Sequence, residues 1–268
     1  MKYYSSKVDE LNNVSKTFSS LPDGHRTFFW GGHTSDEFGV HIQNSFDFIS
    51  PEVDVTFIEV PGRSGSVAIP KKRYKSVTKT LPVTIVSENG RIEDAIQNVD
   101  EWLKGTYIGS DYLWSREPNV FYEAYIASEF TYTRLSQYYA TANITFKFEP
   151  YRYLISGLTA QNVTNGAVIN NPTKTASFPA ITLMGNGNAT ITINNGDNKQ
   201  VMQLLNVDGG IYLDSKTMQA ISTKTNDNSM FRLKSLPFLK LLPGDNRITW
   251  TIQGTSSMTI RPNWEELI

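Results

Sequence analysis

Three histidines, His25, His33 and His41, are the only imidazoles in the chain, and they recur every eight residues. Zinc sites on helices and hairpins use closer spacings and are commonly completed by thiolates, whereas this chain has no cysteine. The spacing therefore reads as solvated loop histidines. Gly185-Asn186-Gly187-Asn188 opens like a dinucleotide fingerprint, but the third glycine is missing and no helix follows to hold a phosphate; it reads as a hairpin turn. Asn194-Asn195-Gly196-Asp197-Asn198 has the oxygen-rich character of a calcium loop without its distal bidentate glutamate. The acidic pairs Glu93-Asp94 and Glu265-Glu266 are adjacent in sequence, and the first diverges around a helix. Glycoside hydrolysis needs two carboxylates held across a cleft. No serine sits in a Gly-x-Ser-x-Gly elbow. These residues predict a protein that is not an enzyme, with no catalytic, metal or cofactor site.

Other chemistry lies in the basic run Lys71-Lys72-Arg73-Tyr74-Lys75 and in two tryptophans. The run suits phosphate contact, an edge strand guarded by charge, or a neighbour's acidic surface. The last two are favoured, because a formal net charge of −1 does not suit a protein that holds phosphate by counterion release. Trp250 and Trp264 have the chemistry to stack on sugar rings, but an aromatic on an alternating strand is more often core.

The elements that position these residues are mostly strands. Two Pro-Gly turns stand out, Pro61-Gly62-Arg63-Ser64-Gly65 after Val53–Val60 and Pro243-Gly244-Asp245-Asn246 before Arg247–Ile252. Proline presets φ and glycine tolerates positive φ, so both predict tight reversals. Arg63, between two glycines, is placed to present a guanidinium fork to a carboxylate. A period-2 strand spans Val77–Ile85, and another spans Ala142–Phe148. One helix is predicted from the stripe Ile92, Ala95, Ile96, Val99, Trp102 and Leu103, with Asn89 as N-cap and Gly105 as stop. Residues 178–262 show short strands separated by glycine and asparagine turns, the signature of an all-β sandwich. The polar stretch Ser156–Thr175 reads as an exposed linker, and residues 1–27 as an N-terminal extension.

The 268 residues suffice for two domains, and 39% apolar with 12% aromatic content suits packed cores. A formal net charge of −1 argues against a protein that grips nucleic acid by counterion release. The N-terminus lacks the apolar core of a secretory signal, and no window approaches a membrane span.

The order of several motifs resembles the distal tail protein (Dit) family of long-tailed, non-contractile bacteriophages. In the first half these are Phe29-Trp30-Gly31-Gly32-His33 through Phe38-Gly39-Val40, Val60-Pro61-Gly62-Arg63-Ser64-Gly65, Val99-Asp100-Glu101-Trp102-Leu103 and Ile144–Tyr151. In the second half they are Asn171-Pro172, Phe178-Pro179, Asn194-Asn195-Gly196, Leu213-Asp214-Ser215, Leu242–Asn246 and Ile260–Trp264. The extension before Phe28 is longer than the family's usual start, and the second half has no room for a long inserted arm.

The resemblance implies a mainly β fold. Residues 28–155 would form a ring-forming β-sandwich with one α-helix and a β-hairpin arm that embraces the next subunit. Residues 156–268 would form a galectin-like or carbohydrate-binding-module-like β-sandwich. It implies a homohexameric hub ring at the tail tip around the DNA channel, with stacking of rings left open. Its partners would be the major tail protein of the tail tube, a tail-associated hub or fibre protein and a receptor-binding protein. DNA would pass without specific binding, no membrane would be involved, and the protein would assemble in the host cytoplasm into the virion. Gly62, Arg63, Gly65, Arg73 and Tyr74 are the expected subunit-interface residues. The alternative is a host glycan-binding adhesion module, and a wall-degrading glycosidase is a third class.

Overall fold

The computed structural model of the protein describes residues 26–43, 49–104, 112–117, 119–126 and 129–268. His25 and most of the N-terminal extension lie outside them, as does the expected helix stop Gly105. The chain is mainly β and divides into two compact units, Met1–Arg152 with Leu267–Ile268, and Tyr153–Glu266.

The first unit contains β1 (Phe29–Trp30), β2 (His33–Thr34), β3 (Val40–Ile42), β4 (Val53–Glu59), β5 (Ser66–Tyr74), β6 (Val77–Val86), α1 (Ile92–Lys104), β7 (Tyr112–Glu117), β8 (Val120–Ile126), β9 (Tyr132–Arg134) and β10 (Tyr139–Leu154), whose last two residues belong to the second unit. Its main sheet runs β2-β1-β7-β8-β10-β6-β3. The strands at the two ends are separated in sequence only by the 3-10 turn Ser35–Phe38 and Gly39, so the sheet must curl until its edges nearly meet. The antiparallel β6–β10 ladder runs from Val77 opposite Phe148 to Val86 opposite Tyr139. Its period-2 pattern turns Leu81, Val83 and Ile85, with Ala140, Ala142, Ile144 and Phe146, into the interior.

Helix α1 closes this core. Ile92, Val99, Trp102 and Leu103 are buried, as the stripe predicts. Trp102 stacks on Phe28 at 5.6 Å between ring centroids and on Phe38 at 4.5 Å. Its indole N–H donates to the Trp30 carbonyl at 3.0 Å. The start of the helix differs from expectation. The Ser87 hydroxyl, not Asn89, accepts the Arg91 N–H, and the Gln137 carbonyl accepts the Ile92 N–H. A neighbouring loop thus satisfies a donor that a local cap would otherwise take.

The second unit contains β11 (Gln161–Val163), β12 (Val168–Asn171), β13 (Ala180–Asn195), β14 (Asn198–Val207), β15 (Gly210–Asp214), β16 (Gln219–Ser222), β17 (Gly244–Arg261) and β18 (Glu265–Leu267), whose last residue returns to the first unit. Two long strands, β13 and β17, pair along their length. On one half of that pair, β13 carries β15 and β17 carries β11. On the other half, β13 carries β14 and β17 carries β12. Both halves contribute to a single buried cluster that includes Ile181, Leu183, Ile191, Ile193, Ile248, Trp250, Met258 and Ile260. One bent ribbon therefore supplies both layers of a β-sandwich.

Two expectations are corrected here. Gly185-Asn186-Gly187-Asn188 is not a turn between two strands. It is a bulged bend inside β13, where the register with β17 shifts on both sides of Asn186. Gly185 has φ 148° and Gly187 φ 92°, backbone that a side chain would strain. Ser156–Thr175 is not a free linker either. β11 and β12 lie within it and pair with β17, so its polar residues decorate sheet edges.

A projecting hairpin and an acidic cleft as candidate interaction sites

β4 and β5 form a two-stranded sheet of their own, and among the described residues neither pairs with another strand. The Val60-Pro61-Gly62-Arg63 turn joins them. Gly62 has φ 82° at its third position, and the Arg63 N–H donates to the Val60 carbonyl at 3.1 Å. This is the geometry that Pro-Gly favours in a type II turn. Side chains alternate across the ribbon, and both of its faces are apolar and open. One face carries Val55, Phe57, Ala68 and Pro70, with Phe57 67% exposed; the other carries Ile58 and Val67 directly opposite each other, with Ile69 46% exposed. A two-stranded ribbon has no core in which to hide such residues, and an isolated hairpin is marginal in water.

The base of the hairpin is held by charge. Asp54 is buried and accepts Arg73 Nε–H at 2.7 Å, with Lys71 Nζ at 3.4 Å. The hydrogen bond from Arg73 leads the causes that hold the Asp54 carboxyl below its ordinary value. Lys75 pairs with Glu52 at 3.0 Å. The ladder loses register here, with Val53 opposite Tyr74 but Val55 opposite Pro70, and Lys72 takes φ 56° in the bulge. Tyr74 packs edge-on against Tyr151.

The five expected interface residues thus fall at two ends of one element. Gly62, Arg63 and Gly65 occupy the turn, where all three are exposed. Arg73 and Tyr74 sit at the base, at the far end of the nine-residue β5, or roughly 30 Å away at about 3.3 Å per residue. Arg73 is committed to Asp54, whereas Arg63 and Lys72 have no carboxylate partner among the described residues. Sequence reading missed Asp54 and the exposed Phe57, Ile58 and Ile69. Their signal was present: a hairpin register that leaves apolar residues on both faces.

A second feature was also missed. A cleft of about 910 Å³ lies between the Ser35–Phe38 turn and α1, lined by Asp36, Glu37, Glu88, Asp94, Asn98 and Glu101, with Phe38 and Trp102 among its apolar residues. Asp94, Asn98 and Glu101 recur at i, i+4 and i+7, which places them on one exposed helix face. Burial alone would raise the Glu37 carboxyl. Hydrogen bonds from the Thr34 N–H, from His33 and from the Thr34 hydroxyl outweigh it and hold Glu37 low.

The remaining candidates serve structure. His33 pairs with Glu37 at 2.8 Å and His41 with Asp36 at 3.6 Å. No group of three or more His, Asp or Glu is placed to hold a metal among the described residues. Gly196 and Asp197 form the two-residue loop of the β13–β14 hairpin, and the Asn195 amide donates to the Pro243 and Asp245 carbonyls. Glu93 pairs with Arg134 and Glu265 is buried. Trp250 and Trp264 are each 6% exposed within the second core, which leaves neither as a platform for a sugar ring. No helix among the described residues is long and apolar enough to cross a membrane.

The fold defines a class of β-rich protein with a known example. The structure is similar to the crystal structure of the Dit protein (gp 19.1) of SPP1, described as a paradigm of the hub adsorption apparatus in phages infecting Gram-positive bacteria. The TM-score is 0.67 at 11% identity, over 87% of this chain and 97% of that one. At that identity the likeness is one of fold. No protein-family model matches the sequence, and no curated protein matches it.

Proposed function

We propose that this chain is a structural hub protein of a phage tail tip that assembles head-to-tail into a closed ring. The observation that carries this reading is the projecting β4–β5 hairpin, apolar on both faces and charged at its base, on a fold shared with a phage hub protein. Fully burying a Phe or Ile side chain is worth about 1.5–3 kcal/mol. A second copy that wraps both faces of the arm would recover roughly half of that for each of Phe57, Ile58 and Ile69. A heterologous contact of this kind generates rings when the rotation closes.

In this reading six copies surround the channel through which DNA passes without specific binding. One face of the ring meets the major tail protein of the tube. The other meets a tail-associated hub or fibre protein, with a receptor-binding protein as a further partner. The protein reaches the virion tail tip after assembly in the host cytoplasm, and its work is geometric, with no substrate turned over. Gly62, Arg63 and Gly65 belong to the subunit interface, with Arg73 and Tyr74 fixing the arm's root.

Negative-stain microscopy together with light scattering of the concentrated protein tests this. Rings of uniform diameter with a central hole are expected; solitary particles at the highest soluble concentration would overturn the reading.

A further inference from the structure

We infer that the cleft between the Ser35–Phe38 turn and α1 is the receptor for the hairpin tip of another copy of this chain, with Arg63 as the inserted residue. The inference rests on the head-to-tail reading above and names the surface that the arm meets. The cleft walls carry carboxylates from three segments: Asp36 and Glu37 on the turn, Glu88 on the loop before α1, and Asp94 and Glu101 on the helix. Arg91 is the cleft's one arginine and stands 3.8 Å from Asp94, while Glu101 accepts an amide hydrogen from Gln97. An acidic wall that includes a half-buried ring, Phe38, stacked on one side against Trp102, suits a planar, weakly hydrated cation that can fork onto carboxylates and meet an aromatic ring.

The hairpin supplies such a cation. Between residues 52 and 75 it carries Arg63, Lys71, Lys72, Arg73 and Lys75 against Glu52, Asp54 and Glu59. Lys71, Arg73 and Lys75 are engaged at the base, so the tip's guanidinium remains for a partner. Val60 is 43% exposed beside it, an apolar shoulder for the rim of the cleft. The turn holds Arg63 between two glycines, Gly62 and Gly65, beside which an added Cβ would meet no atom within 4 Å. The tip therefore stands clear of neighbouring atoms on the glycine sides, as a segment entering another copy's cleft must. The surfaces are complementary in charge and differ in kind, which makes the contact head-to-tail rather than two-fold.

The absence of native cysteine allows a direct test. Copies carrying only Ser64→Cys are mixed with copies carrying only Asn98→Cys under mild oxidation. A disulfide-linked dimer is expected in the mixture, well above the level in either variant alone; pairing within one chain is impossible by design. In parallel, Arg63→Glu should weaken self-association by roughly tenfold or more, and so should Asp94→Arg with Glu101→Arg. Combining the three should restore much of the loss. All these positions are exposed, and thermal melting checks folding; if a charge variant fails to fold, the mixed-disulfide experiment decides. Wild-type rings without the mixed disulfide and without rescue would overturn the cleft as receptor while leaving the ring reading intact. Absence of any wild-type oligomer in concentrated protein would overturn both.

Discussion

Asp54 shows how one residue turns a strand into an anchored arm. Its neighbours Val53 and Val55 follow the ribbon, but its carboxylate is buried between Lys71 and Arg73 and ties the arm's root across the bulge. Its folded pKa is depressed, chiefly through the Arg73 hydrogen bond, and that of Glu37 is depressed by its Thr34 and His33 hydrogen bonds. A depressed carboxyl contributes stability that is present above its unfolded pKa and is lost as pH falls through the folded one. The first unit should therefore lose melting temperature below the ordinary values of 3.8 for Asp54 and 4.5 for Glu37. Asp54→Asn should flatten that acid dependence in a pH series of thermal melts; an unchanged slope would mean that other carboxylates set it. Asn246 plays the corresponding part in the second unit. It is wholly buried, donates to the Leu242 and Gly244 carbonyls at 2.7 and 2.8 Å, and accepts the Leu242 N–H at 3.0 Å. A side chain thus closes the second Pro-Gly turn. Asn246→Ala should cost about 1–3 kcal/mol in denaturant unfolding, because buried backbone groups lose their partners.

At the scale of elements, the two Pro-Gly turns look alike in sequence but do different work. The first ends a ribbon with no core, and the second starts a strand that crosses both layers of a sandwich. Gly62→Val forces a β-branched residue to φ 82°, a strain of about 1–2 kcal/mol. An added Cβ meets no atom within 4 Å there, so the effect is confined to the turn backbone. Ring formation should weaken while melting of the second unit stays put; unchanged particle size would remove Gly62 from the interface. The period-2 strands, the helix stripe and the first turn were legible because each is dictated by residues close in sequence. The glycine bend in β13 was not. A bulge and a turn need the same positive-φ residues, and only pairing with β17 on either side of Asn186 tells them apart. The polar edge strands β11 and β12 were missed because they bury so little: only Val163, Ile169 and Asn171 are covered. The acidic cleft required knowing that the Ser35–Phe38 turn and α1 face each other, which no local pattern reveals. Limited proteolysis reads the difference between arm and edge strands. The first cuts in the free protein should fall at residues 60–66 rather than within 161–171, since backbone paired into a sheet resists cleavage. Early cleavage near Gln161–Val163 would instead favour the exposed linker expected from composition.

For the whole molecule, a formal net charge of −1 conceals separation: cations cluster along residues 63–75 and carboxylates gather at the cleft. A near-neutral chain with two unlike, complementary patches has a heterologous route to association, and such contacts end either as closed rings or as open filaments. Rotation per subunit decides which, and it must be set by rigid elements. The curled sheet, braced by α1 through the Trp102–Phe28 and Trp102–Phe38 stacks, supplies one; the ribbon anchored at Asp54 supplies the other. If the closure is geometric, assembly has a ceiling. Light scattering over rising protein concentration should show one species gaining population at constant mass, whereas continued growth in mass would mean that the rotation leaves the chain of contacts open. Salt separates the two contributions to the contact. Charge pairing at the tip is screened over about 8–10 Å at moderate ionic strength, while burial of Phe57, Ile58 and Ile69 is not weakened by screening. Raising salt should therefore weaken wild-type association and leave an Arg63→Ala variant, already lacking the pair, nearly unaffected. Equal salt sensitivity in both proteins would place the electrostatic part of the contact away from the arm's tip.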